Sequence, residues 1–82
     1  MDRAFYEEAV AIAERHVAKG SEHIASQRRI VAELKERGVD STEAENALAT
    51  FLTAQKQHED DRRRLTNELI NLGDSDAPGP KG

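Results

Sequence analysis

The sequence KERGVDSTE, at residues 35–43, separates two long helical patterns and decides the fold. Lys35 and Arg37 carry positive charge where a helix dipole is negative, and Gly38 suits the left-handed position that follows the last turn of a helix. These signals predict that a first helix ends near Arg37.

The same stretch predicts where a second helix begins. Asp40 can act as the N-cap, and Glu43 three residues later completes a capping box. Ser41 or Thr42 could be the N-cap instead, which leaves the boundary open by a residue or two. A turn this short makes the two helices antiparallel neighbours.

Upstream of the turn, residues at alternating spacings of four and three mark one stripe of a helix over residues 3–37. We call this stripe, with its counterpart in the second helix, the seam. In the first helix the seam consists of Tyr6, Val10, Ala13, Val17, Gly20, Ile24, Gln27, Val31 and Leu34. Glycine costs about 1 kcal/mol in a helix relative to alanine, so a break at residues 19–21 and a three-helix fold is the alternative. The phase of the seam passes unchanged through Gly20, which favours one continuous helix.

Downstream of the turn, a second helix is expected over residues 41–72 with the same alternating spacing. Its seam consists of Ala44, Leu48, Phe51, Gln55, His58, Arg62, Leu65, Leu69 and Leu72. Gly73 is expected to end this helix. Residues 73–82 contain prolines and glycines and no large apolar residue, which predicts a disordered tail after a single domain at residues 1–72.

Pairing outward from the turn matches the two seams in nine layers. The first layer joins Leu34 to Ala44, and the fifth joins Gly20 to His58. We therefore expect the all-α class and an antiparallel two-helix hairpin. Two helices of this length bury one stripe each, so the hairpin is expected to dimerise into a four-helix bundle.

Composition supports self-association. The chain has 82 residues, of which 37% are hydrophobic and 34% are charged, and much of its apolar content is alanine. So thin a core is marginal without a disulfide or a partner. The absence of cysteine excludes a disulfide and suits a cytoplasmic location.

Charge and hydropathy argue against two partner classes. The net charge is -4, and acidic residues lie near both arginine clusters, at residues 28–29 and 62–64, so nucleic-acid binding is disfavoured. No apolar run of about 18 residues and no signal-peptide pattern is present, so no membrane span is expected.

A polar group interrupts the centre of the two seams. It consists of Gly20, Gln27, Gln55, His58 and Arg62. We interpret these residues as a structural polar layer, because buried polar groups penalise any register that leaves them unpaired. Gly20 would make room for the imidazole of His58.

His16, His23 and His58 are also candidate ligands for a transition metal such as zinc. However, His16 and His23 are about 10 Å apart along a helix axis, and the Glu-x-x-His and His-Glu-x-x-His motifs are absent. The structural interpretation is therefore favoured, and no cofactor is expected. Neither a catalytic cysteine nor a nucleophile or phosphate-loop motif is present, so no enzymatic activity and no catalytic residue are expected.

The stretch ERHVAKGSEHIASQR, at residues 14–28, resembles a motif of short, mostly uncharacterised proteobacterial proteins. The later residues Thr50, Phe51, Gln55 and His58, with the pair at residues 61–62, are similar too. The resemblance covers about residues 10–70. It implies a helical hairpin in a bacterial cytoplasm and transfers no catalytic or ligand residue.

The sequence thus predicts a small non-enzymatic protein–protein interaction module, regulatory or scaffolding, that acts as a homodimer and has an unidentified protein partner. Two alternatives remain. One is a metal- or ligand-binding bundle that uses the three histidines, and the other is a nucleic-acid accessory protein.

Overall fold

The chain forms two long helices that pack side by side as a hairpin. The computed structural model describes residues 3–76, and the side chains of residues 3–72. Helix α1 spans Arg3–Glu36 and helix α2 spans Thr42–Asp76. The expectation of an all-α chain with two packed helices is confirmed.

Helix α1 runs through Gly20 without a break, so the three-helix alternative is wrong. Helix α2 likewise continues through Gly73 and ends at Asp76 rather than at Leu72. Glycine weakens a helix without forbidding it, and the first proline, Pro78, lies beyond this end. The remainder of the predicted tail, residues 77–82, lies outside the described residues.

The end of α1 has the hydrogen bonds of a Schellman motif. The N–H of Gly38 donates to the carbonyl of Lys35 (3.1 Å), and the N–H of Val39 donates to the carbonyl of Leu34 (2.9 Å). Gly38 has a φ of 71°, a conformation that side chains with a β-carbon rarely adopt. The prediction of Gly38 as the left-handed residue is confirmed.

Helix α2 starts one residue later than expected. Asp40 was the expected N-cap, and the hydrogen bonds place the N-cap at the next residue. The carbonyl of Ser41 accepts the first helical hydrogen bond, from the N–H of Glu45 (2.8 Å), and the hydroxyl of Ser41 donates to the carboxylate of Glu45. Ser41 is therefore the N-cap residue. The Asp40 carboxylate accepts hydrogen bonds from the N–H (3.0 Å) and the hydroxyl (2.7 Å) of Thr42, which helps to fix the first turn.

The hydrogen bonds at Asp40 predict a pH dependence. The Thr42 hydroxyl, and after it the Thr42 N–H, hold the pKa of the Asp40 carboxyl below its usual value of 3.8. A carboxyl whose pKa is lowered by folding stabilises the fold above its usual pKa, and this contribution is lost as the pH falls through the lower value. Asp40→Ala should therefore lower the melting temperature at pH 7 and have little effect near pH 2. Equal effects at the two pH values would contradict this assignment.

The seams of both helices face each other. All nine seam residues of α1 are buried or half-buried, and so are eight of the nine in α2. Arg62 is the exception, since its side chain is exposed, so its placement in the polar layer is wrong. The apolar core is small: Ala13, Val31 and Ala44 are 6–9% exposed, and no described side chain is fully buried.

The helices are offset by about one turn from the expected register. Gly20 lies against Gln55, three residues before the expected partner His58. Gln27, whose layer in the expected register holds Phe51, reaches farther in the same direction with its long side chain, to the backbone carbonyl of Ala44. Ser41 is only 8% exposed, so the N-cap residue occupies the layer next to the turn. This extra layer accounts for the offset, because it moves every later partner by one turn while both seams stay in contact.

Candidate functional site

Two histidines from different helices form a ring pair near the middle of the hairpin. The ring centres of His16 and His58 are 5.1 Å apart, and their planes are inclined at 54°. His16 is exposed and His58 is half-buried. His58 therefore contacts the row beside the α1 seam, and not the glycine for which it was expected to need space.

A second ring pair lies about two turns closer to the loop. The ring of His23 stacks on that of Phe51, with centres 5.3 Å apart and planes inclined at only 8°. His23 follows His16 by seven residues, so both imidazoles lie on the same side of α1. The two imidazoles have different partners on α2, and they lie at different positions along the length of the hairpin.

The ring pairs lie along two adjoining grooves on one side of the hairpin, with volumes of about 260 and 280 Å³. We call this side the histidine face. It consists of Ala9, Ile12, His16, Lys19 and His23 from α1 and Phe51, Ala54, His58, Asp61, Arg64 and Leu65 from α2. Phe5 and Ile30 continue it at both ends, since each is seven residues from a member of the face.

Gln55 is the buried polar centre of the hairpin. Its side chain is 7% exposed, and its Nε2 donates to the carbonyl of Val17 (2.9 Å) and to the hydroxyl of Ser21 (3.1 Å). Its Oε1 is buried without a hydrogen-bond partner and lies against the backbone of Gly20. A β-carbon on Gly20 would overlap Oε1 and come within 2.8 Å of Cδ. Gly20 thus makes room for an amide, not for an imidazole.

The remaining members of the expected polar layer lie apart from Gln55. Gln27 is half-buried, and its Nε2 makes a long contact of 3.4 Å with the carbonyl of Ala44 near the turn. Arg62 is exposed. The expected layer of five residues is therefore reduced to the pair of Gly20 and Gln55, with Ser21 as its hydrogen-bond partner.

The three histidines do not converge on one point. Among the side chains that the structure describes, at residues 3–72, no group of three histidine, cysteine, aspartate or glutamate residues is arranged to hold a metal ion. His16 and His58 meet, whereas His23 lies on Phe51. A three-histidine site within one chain is therefore not formed.

The arginine cluster of α2 is paired with acids on its own helix. Arg63 contacts Asp60 at 3.2 Å, and Arg64 contacts Asp61 at 3.3 Å. These are exposed pairs at a spacing of three residues, which contribute little to stability. They spread both charges along the helix surface, a pattern that gives no continuous positive stripe for a phosphate backbone.

The side opposite the histidine face is also mixed in composition. A groove there is lined by the apolar Ile24, Ala25 and Leu52 and by the charged Arg28, Lys56 and Glu59. Both sides of the hairpin therefore combine apolar and charged residues, and the two ring pairs distinguish the histidine face.

Comparison with known proteins adds no further assignment. No protein-family model matches the chain, and no curated protein and no solved structure is significantly similar to it. No helix among the described residues is long and apolar enough to cross a membrane.

Several contacts at the site were not predicted from the sequence, among them the ring pair of His16 and His58 and the contact of Gly20 with Gln55. The hydrogen bond between Gln55 and Ser21 had a local signal in the sequence, because Ser21 follows Gly20 and faces α2 from the edge of the seam. The stack of His23 on Phe51 had no local signal, since it depends on the register between helices.

Proposed function

We propose that this chain is a small non-enzymatic protein–protein interaction module that acts as a homodimer, with a regulatory or scaffolding role in the cytoplasm. The observation that best supports this proposal is the combination of a minimal core with large exposed apolar residues. The largest side chain in the buried core is valine, whereas Phe5, Ile12 and Ile30 are 38–46% exposed.

The dimensions of the hairpin support this proposal. Its radius of gyration is 19.1 Å, whereas a compact chain of this length would have a radius near 12 Å. Its accessible surface is 6124 Å², about 1,200 Å² more than the ~4,900 Å² typical of a compact monomer of this mass. A standard interface removes about 800 Å² from each partner. Pairing of two hairpins would therefore cover most of the excess.

The histidine face is the side that we assign to this pairing. Phe5, Ile12 and Ile30 all lie on it, at intervals of seven or eighteen residues that keep them on one side of α1. The broad side of a body of 67 × 19 Å has a projected area of about 1,300 Å², more than a standard interface needs. A second copy is the occupant that fits, because an isologous contact sets this apolar side against itself.

Thermal unfolding at two concentrations tests the proposal. Folding that is coupled to dimerisation becomes more favourable as the protein concentration rises. A hundredfold rise should therefore increase the melting temperature by at least about 5 °C for a chain of this size. An unchanged melting temperature over that range would show that the hairpin unfolds as a monomer.

A further inference from the structure

We propose that His16 and His58 form half of a site for a first-row transition metal, and that the same pair from a second copy completes it. This inference rests on the proposed dimer. It concerns two named side chains whose ring centres are 5.1 Å apart on facing helices.

The separation of the rings fits shared coordination. A zinc–nitrogen bond is about 2.0 Å, so two imidazoles on one tetrahedral ion have ring centres about 5 Å apart. The observed 5.1 Å matches this value, and planes inclined at 54° are neither stacked nor edge-to-face. Stacking alone would favour parallel or perpendicular planes, as in the 8° stack of His23 on Phe51.

The surroundings of the pair suit an ion that enters from solvent. His16 and His58 line an open groove together with Asp61 and Arg64. The carboxylate of Asp61 favours a cation nearby, while the guanidinium of Arg64 opposes it and is itself paired with Asp61 at 3.3 Å. Neutral imidazole suits zinc, copper and nickel better than calcium or magnesium.

Two protein ligands are too few for a structural metal site, which has four. No third histidine or carboxylate among the described side chains of residues 3–72 completes a set around this pair. A second copy can supply the missing ligands, because the pair lies near the middle of the histidine face. Along α1, His16 is about 16 Å from Phe5 and about 21 Å from Ile30.

A twofold axis across the middle of the face would bring the two pairs together. In such an antiparallel arrangement, the Phe5 end of one hairpin covers the Ile30 end of the other, and each His16–His58 pair faces its copy. The site would then hold one ion between four imidazoles, with a stoichiometry of one ion per two chains. Metal binding would thereby strengthen the dimer without being needed for the fold.

The test measures zinc binding to the full chain, prepared without a histidine tag and freed of metal. Equilibrium dialysis against Zn²⁺ with elemental analysis should give about 0.5 zinc per chain. His16→Gln and His58→Gln should each weaken binding at least tenfold. His23→Gln is the matched control, because it removes the histidine on the same row that stacks on Phe51, and it should change affinity less than twofold.

Each outcome decides between this site and its rivals. Equal losses in all three variants, or no zinc bound above the level of the His16→Gln/His58→Gln double variant, would overturn the site. One zinc per chain on a monomer would overturn its shared character. If metal-free protein is dimeric and binds no zinc, the proposed function stands and this inference fails. If metal-free protein is monomeric, the proposed function fails whatever the zinc result.

Discussion

Replacing Gly20 by alanine should lower the free energy of unfolding by about 1 kcal/mol, although the same change in a helix normally raises it by about 1 kcal/mol. The added β-carbon would overlap Oε1 of Gln55. The flexible side chain of Gln55 must then shift, and we expect this shift to cost its hydrogen bonds to the Val17 carbonyl and the Ser21 hydroxyl. Loss of hydrogen bonds to a buried polar group costs about 1–3 kcal/mol, which outweighs the helical gain.

A double-mutant cycle separates these two effects. In a Gln55→Ala background the space next to Gly20 is empty, so Gly20→Ala should then raise the free energy of unfolding by about 1 kcal/mol. The sign of the effect should therefore reverse between the two backgrounds, as measured by urea denaturation of each variant. The same sign in both backgrounds would show that Gly20 and Gln55 do not interact.

Ile12→Glu should weaken self-association by at least about a hundredfold, because it would bury an unpaired carboxylate in the contact between two histidine faces. A hundredfold loss corresponds to about 2.8 kcal/mol, which is modest for burial of an unpaired charge. The dissociation constant is measured by sedimentation equilibrium over a dilution series.

Leu52→Glu is the matched control for this prediction. Leu52 is 41% exposed and Ile12 is 38% exposed, so the two substitutions remove similar contacts within one hairpin. Leu52, however, lines the groove on the opposite side, and its substitution should change the dissociation constant less than threefold. A larger effect at Leu52 than at Ile12 would assign the dimer to the opposite face.

The facing stripes of the hairpin could be predicted from the sequence, because the alternating spacing of four and three places one row of residues on one side of each helix. The end of α1 was equally predictable. Gly38 at the end of α1 is the residue that its left-handed φ of 71° requires. A position that needs a positive φ favours glycine, so the residue type at that position reveals the backbone conformation.

The register could not be predicted, because two arrangements that differ by one turn both keep the seams in contact. The difference arose at the turn, where Ser41 is buried as part of the first layer. A one-turn offset exchanges His58 for Gln55 opposite Gly20. The sequence therefore indicated that Gly20 makes room for a polar side chain. Which side chain this is depends on the offset between the two helices, and the spacing of residues within each helix does not determine that offset.

The histidine pair illustrates the same dependence. His16 and His23 are seven residues apart, a spacing that places both on one side of a helix. Which of them meets His58 is decided by the offset between helices. His16 meets it, and His23 meets Phe51, so two of the three candidate metal ligands are paired with each other.

The most direct test of the dimer is the mass of the metal-free full chain in solution, measured by size-exclusion chromatography with light scattering. The chain has a mass of 9.1 kDa, and our account predicts a particle of twice this mass that dissociates on dilution. The apparent hydrodynamic radius of this dimer should also be smaller than that of two hairpins joined end to end, since the contact runs along the broad face. A mass of 9.1 kDa at every concentration would contradict the account.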